Sequence, residues 1–280
     1  MIREEIIQYY DKCESDYRLL WDLDHSHAMH AGFWDENTRT LRDALRRENE
    51  VLAEIAQITA EDRVLDAGCG VGGSSIFLAK YYACQVDAIT LSEKQVKTAT
   101  HKAEAAGVDS NVTFSVMDYT STTFSDKSFD VVWGVESICH AQNKGAFIKE
   151  AARVLKPGGR LIVADGFATH VNNKGKEHYL MQRWLRGWGV SALETVESFE
   201  NELIKENFEE ITFRDITQNV WPSAKRLYLY SLPAIVLSKM GECAGFRTKA
   251  QTENLQSARC QYEALKKKLW LYGIFCAVKR

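Results

Sequence analysis

With 280 residues, 45% of them hydrophobic and 26% charged, the chain has the composition of one enlarged globular domain, which excludes wholesale disorder. A formal charge of −3 gives no electrostatic footprint for nucleic acid. The seven cysteines form no C-x-x-C pair, which indicates reduced thiols in a cytoplasmic compartment and not a disulfide framework.

The chain opens on Met1-Ile2-Arg3-Glu4-Glu5, an acidic amphipathic start without a basic-then-apolar leader, and residues 1–57 read as an N-terminal helical cap. Tyr9, Tyr17 and Trp21 are candidates to line a substrate pocket, with helix packing as the plain alternative. His25, His27 and His30 with Asp24 do not repeat on one helical face, and no cysteine or second acid completes a site. No metal is expected, and His30 and Trp34 are read as facing inward over a ligand.

Residues 58–166 alternate strand and helix, with strands near 62–66, 85–90, 112–116, 129–133 and 160–165. That order implies a parallel sheet with right-handed crossovers. Residues 167–209 read as an aromatic helical lid, in which Trp184 and Trp188 share one face and Gly187 and Gly189 suggest a gate. Residues 210–280 supply a sixth strand at 210–216, a second helical insertion at 222–268 and a closing strand, Leu269–Val278. The expected fold is α/β: a Rossmann-like, doubly wound, mostly parallel seven-stranded sheet with a helical cap and lid insertions in one functional domain. Apolar runs reach about ten residues, short of the ~20 that span a bilayer, so no integral membrane segment is expected.

The chemistry concentrates in VLDAGCGVGGSS at 64–75, where a strand ends in glycines before a helix begins. Glycines there let a ligand approach bare backbone beside the helix N-terminus. Gly68, Gly70 and Gly73 also satisfy G-x-G-x-x-G, so a dinucleotide oxidoreductase is a rival reading. Asp66 argues against it, because a carboxylate beside a pyrophosphate is repelled. The second strand also ends without an acid, at Thr90-Leu91-Ser92. A cationic, glycosylated, phosphate-free ligand fits better. Thr90, Leu91 and Gln95 then stand near a ribose, Asp118 and Tyr119 near a base, and Val135, Glu136 and His140 at the fourth strand tip. Each has a plain alternative: Asp118 as a helix cap, Gln95 as a solvated residue, Glu136 as a surface charge.

With these residues in place, the sequence resembles the class I S-adenosylmethionine-dependent methyltransferases, and is most similar to the tocopherol and ubiquinone/menaquinone small-molecule type. The resemblance spans about residues 8–165 and is carried by VLDAGCGVGGSS, AITLSEKQV at 88–96, FDVVWGVES at 129–137, RVLKPGGRLIVAD at 153–165 and HAMHAGFWD at 27–35. It implies S-adenosylmethionine as methyl donor, S-adenosylhomocysteine as product, and Asp66, Gly68, Gly70, Thr90, Leu91, Gln95, Asp118 and Val135 at the cofactor. The family's second acid near the histidine is replaced here by Cys139, and residues 167–280 match only loosely.

The expected reaction is methyl transfer to carbon or phenolic oxygen of a small lipophilic acceptor of isoprenoid, quinol or phenolic kind. Glu136 and His140 are the candidate bases, the histidine oriented by the glutamate one turn away. N-methylation of a small amine and a non-catalytic nucleotide-binding module are the alternatives. The expected partner is a small molecule only, with no nucleic acid, and a homodimer is compatible with the sequence.

Overall fold

The computed structural model describes residues 30–170 and 173–280. Tyr9, Tyr17, Trp21, His25, His27 and Asp24 lie outside the described residues. The helical reading of 1–57 is corrected at residues 30–40, which are irregular. Gly32 holds a φ of +80. A Cβ at that position would sit 3.0 Å from the Ala44 carbonyl carbon, so the loop lies hard against the first helix. That helix, α1 (Leu41–Ile55), starts at a capping box between Thr40 and Asp43 and buries Leu45, Glu48 and Leu52 on one face.

The core alternates as expected: β1 (Arg63–Ala67), α2 (Gly73–Tyr82), β2 (Gln85–Thr90), α3 (Glu93–Ala106), β3 (Val112–Val116), β4 (Phe129–Val135), α4 (Lys144–Val154) and β5 (Leu155–Ala168). After it come α5 (Gly175–Gly187), α6 (Val196–Lys205), β6 (Phe208–Asp215), α7 (Thr217–Cys243), α8 (Lys249–Lys266) and β7 (Trp270–Lys279). The sheet order is β3-β2-β1-β4-β5-β7-β6, with β7 antiparallel to both of its neighbours. The seven-stranded, mostly parallel Rossmann-like sheet is therefore the observed fold. One face packs α1, α2, α5, α7 and α8 around Leu52, Leu78, Trp133 and Trp184. The other packs α4 and α6 around Phe129, Phe147, Phe199 and Phe275.

Two local expectations change. β5 starts at Leu155 and takes in the Lys156–Gly159 turn signal, with Gly158 at a φ of +77 and the register against β4 shifting between Phe129 and Val131. The glycines read as a gate do not interrupt a helix: Gly187 ends α5 and Gly189 follows it. A Cβ on Gly187 would overlap the Ser257 hydroxyl, so this glycine permits close packing of α5 on α8.

Strand order reverses between β1 and β4, the point at which open α/β sheets bind ligands beyond their carboxyl ends. Half-exposed residues line that edge at Gly68–Gly70, Leu91, Asp118–Tyr119 and Val135–Glu136.

Candidate active site

At the end of β1, Asp66 is 3% exposed and accepts a 2.5 Å hydrogen bond from the Ser75 hydroxyl. Burial pushes its carboxyl up to about 6, against the Ser75 hydrogen bond and the nearby His30 ring. The chain then turns through Gly68, Gly70 and Gly72, with φ values of +96, +53 and +87. The Gly68 and Cys69 amides donate to the Ile89 carbonyl at 3.0 and 2.9 Å, folding the loop onto the end of β2.

Thr90 donates its hydroxyl to Gln95 Oε1 at 2.6 Å, and Ser92 caps α3 by accepting from the Gln95 amide. Gln95 is therefore fastened to the strand tip and is not a loosely solvated residue. Asp118 accepts from the Thr120 amide and hydroxyl at 2.8 and 2.7 Å, closing a side-chain turn that leads into no helix. Tyr119 donates to the Ser137 carbonyl at 2.8 Å and sets its ring edge-on to Phe147.

After β4, Glu136 adopts a φ of +46, a strained conformation for a residue with a side chain. Its amide donates to the Ala164 carbonyl at 2.9 Å, and Oε1 accepts from the Ala31 amide at 2.5 Å and the Tyr272 hydroxyl at 2.9 Å. The same hydroxyl lies 2.8 Å from Glu48 Oε1, and Glu48 Oε2 receives His30 Nδ1 at 2.6 Å and the Gly32 amide at 2.7 Å. One phenolic hydrogen cannot serve two carboxylates, so the cluster holds a further proton. Burial, then the Glu48 and Asp165 charges, raise Glu136 well above the usual carboxylate range.

The Nδ1 of His140 is held from outside the β4 tip. That atom lies 3.1 Å from the Gly189 carbonyl, which can only accept, so Nδ1 carries the proton. Burial pushes the ring down to about 4, leaving it neutral and a weak base. Asp165 accepts from the Cys139 and Gly166 amides, both at 2.8 Å. Lys144 is 6% exposed and donates to the carbonyls of Cys139, Ala141 and Ala192 at 3.0, 2.7 and 2.8 Å. Together His140 and Lys144 fasten the turn after β4 to the segment following α5. Lys144→Met leaves three carbonyls without this donor, and the expected result is a loss of about 2–4 kcal/mol in denaturant unfolding. A loss below about 1 kcal/mol would show that water replaces the ammonium.

The lid tryptophans part company. Trp184 is buried, packs on Trp270 with ring centroids 4.7 Å apart, and its indole N–H has no hydrogen-bond partner among the described residues. Trp188 meets it edge-on and donates to the Asn254 carbonyl at 3.3 Å. Trp270 pairs with Ala168, so this stack stands at the carboxyl end of β5. Trp34 donates its indole N–H to Ser223 at 2.7 Å and so serves α7, while His30 serves Glu48.

Glu48, Lys144, Asp165 and Tyr272 are absent from the sequence-based site. Asp165 ends the apolar run Leu-Ile-Val-Ala in the way Asp66 ends Val-Leu, and Glu48 falls on the apolar face of α1, so both carried a readable signal. Tyr272 carried none. Among the described residues no group of three or more His, Cys, Asp or Glu side chains is placed to hold a metal ion.

A family profile described as a methyltransferase domain matches residues 65–163. The 27-O-demethylrifamycin SV methyltransferase of Amycolatopsis mediterranei is 36% identical over 195 residues, covering 70% of this chain and 71% of its own. The chloroplastic tocopherol O-methyltransferase of Arabidopsis thaliana is 29% identical over 248 residues, covering 81% and 70%. The solved geranyl diphosphate C-methyltransferase of Streptomyces coelicolor superposes with a TM-score of 0.77 at 18% identity, covering 99% of this chain and 97% of its own, a likeness of fold alone.

Proposed function

Since the chain belongs to the class I S-adenosylmethionine-dependent methyltransferases, we propose that it methylates a carbon or phenolic oxygen of a small, largely apolar acceptor, with Glu136 as the base. The carrying observation is the setting of Glu136: strained backbone at the β4 tip, a carboxyl gripped by Ala31 and Tyr272, and a tryptophan stack at the neighbouring strand end.

The strand tips fit the cofactor. Asp66 is a buried acceptor for an ammonium or a ribose hydroxyl and disfavours a pyrophosphate, and the glycine turn exposes backbone. Asp66, Gly68, Gly70, Thr90, Leu91, Gln95, Asp118, Tyr119 and Val135 are proposed to hold it. The bound cofactor supplies a methyl group made electrophilic by its sulfonium. The protein's task is then alignment and exclusion of water, which can supply several kcal/mol. Positive charge brought near Glu136 would offset the push of Glu48 and Asp165 and favour the carboxylate, which could then take a proton from an acceptor hydroxyl or carbon. Methylation at oxygen is supported by the tocopherol relative, by name an O-methyltransferase. His140 is a positioning residue, holding Gly189.

The test is an acceptor panel of prenylated phenols, quinols and small amines. Glu136→Gln is expected to lower phenol or carbon methylation about 10²–10⁴-fold with S-adenosylhomocysteine affinity retained. His140→Ala is expected to raise KM more than it lowers kcat. Amine turnover unaffected by either change would replace this reading with N-methylation. Cofactor binding without turnover across the panel would replace it with a silent binding module.

A further inference from the structure

The second half of α7 is built the wrong way round for a helix that meets only its own protein. Val220, Ala224 and Leu227 are buried in its first half, but past Tyr228 the buried positions are Ser231 and Ser238, matched by the Tyr228 carbonyl and by Thr252. Its outward face carries Leu229, Tyr230, Leu232, Val236, Leu237 and Met240, with Leu237 67% and Met240 65% exposed. These positions recur at helical spacing and form one stripe, continued by Phe246, 88% exposed just past the helix end. An apolar stripe of this extent on a surface marks something that covers it.

Charge selects the occupant. Between Thr217 and Glu253 the chain carries Lys225, Arg226, Lys239, Arg247 and Lys249 against two acids, Glu242 and Glu253, the latter paired with Lys249 at 3.8 Å, in a protein whose overall formal charge is −3. Lys225 and Arg226 stand at one end of the stripe, Lys239 on its flank, and Arg247 and Lys249 just past Phe246. Arg226 also lies over the Tyr230 ring at 4.7 Å. A two-fold contact that paired the stripes antiparallel would set the Lys225 and Arg226 end of one copy against the Arg247 and Lys249 end of the other, cation facing cation. Anionic lipid head groups complement them, and acyl chains accept the apolar stripe. No helix among the described residues is long and apolar enough to cross a membrane, so the contact is one that lies on the surface.

We propose that the outward face of α7, with Phe246, docks this enzyme on an anionic lipid bilayer, the stripe entering the interface and the basic residues engaging head groups. The proposal needs no knowledge of the acceptor, and its test uses none, so it stands or falls separately from the assignment of Glu136.

The test is flotation of the full chain with vesicles of phosphatidylcholine alone and of phosphatidylcholine mixed with phosphatidylglycerol. Wild type is expected to float with the mixed vesicles and much less with the neutral ones. The double variant Leu237→Glu/Met240→Glu is expected to lose at least about tenfold in vesicle partitioning. Lys225→Glu/Lys239→Glu is expected to lose the preference for anionic lipid. Both should keep wild-type thermal stability and S-adenosylhomocysteine affinity, because the altered side chains face outward. Equal binding to both vesicle types, or to neither, overturns the proposal. Lipid-free self-association abolished by Leu237→Glu/Met240→Glu would assign the face to a second copy. A fall in lipid-free stability of that variant would assign it to residues 1–29 of the chain itself.

Discussion

Gly68→Val is expected to remove measurable cofactor binding and to destabilise the fold by more than about 3 kcal/mol. Two separate costs coincide at this position. A φ of +96 is unfavourable for any residue with a Cβ, and a Cβ there would also overlap Ser137. Ser137 cannot yield cheaply, since its hydroxyl donates to the Ala67 carbonyl at 2.6 Å and its own carbonyl receives Tyr119. Gly107→Ala separates the two costs: φ there is +69, but nothing lies within 4 Å of the new Cβ. It should cost about 1 kcal/mol and leave cofactor binding intact. Calorimetry with S-adenosylhomocysteine and chemical denaturation read both outcomes. A Gly68→Val protein with wild-type affinity would sink the assignment of this turn to the cofactor.

Asp66→Asn is expected to stabilise the empty protein while weakening the cofactor complex at least about tenfold. Burial raises the folded-state carboxyl from 3.8 to about 6, so above pH 6 the fold carries a charge it would rather not hold. Between those two values the folded chain binds more protons than the unfolded one, and stability falls as pH rises. Summed over that window, the penalty at pH 7 is at most about 3 kcal/mol, at 1.36 kcal/mol for each unit. The asparagine variant escapes it while keeping an acceptor for Ser75. Its advantage in urea should therefore be present at pH 7, shrink as pH falls from about 6, and be absent below 3.8. Wild-type cofactor affinity should weaken as pH falls through about 6, where the carboxylate is lost. A variant that is less stable at pH 7 and binds as tightly would reduce Asp66 to a structural partner of Ser75.

The sheet was legible because each strand announces itself locally, and the turn at Gly68–Gly72 compresses ligand geometry into a few consecutive residues. The tips of β1 to β4 could therefore be put in order from spacing alone. What orients Glu136 could not. Its partner Tyr272 is 136 residues away, and Glu48 is 224 residues from that tyrosine. That meeting depends on β7 inserting antiparallel beside β5, which sets Tyr272 opposite Gly166. Gly187 misled for a similar reason. A glycine near a helix end suggests looseness when read along the chain, yet here α8 presses against it from across the structure. Residues 30–40 fall within a stretch that reads as a helical cap, but the close approach of Gly32 to α1 is a tertiary demand that the local sequence pattern does not register.

The grip of Tyr272 on Glu48 and Glu136 also bears on how the enzyme matures at the ribosome. The strand tips proposed to hold the cofactor are encoded before residue 140, but the phenol that links Glu48 and Glu136 belongs to the last strand to be made. A nascent chain halted before β7 would lack the Tyr272 hydroxyl that bridges Glu48 and Glu136. Catalytic competence should therefore appear in a single late step of synthesis, after the donor-binding half has already taken shape.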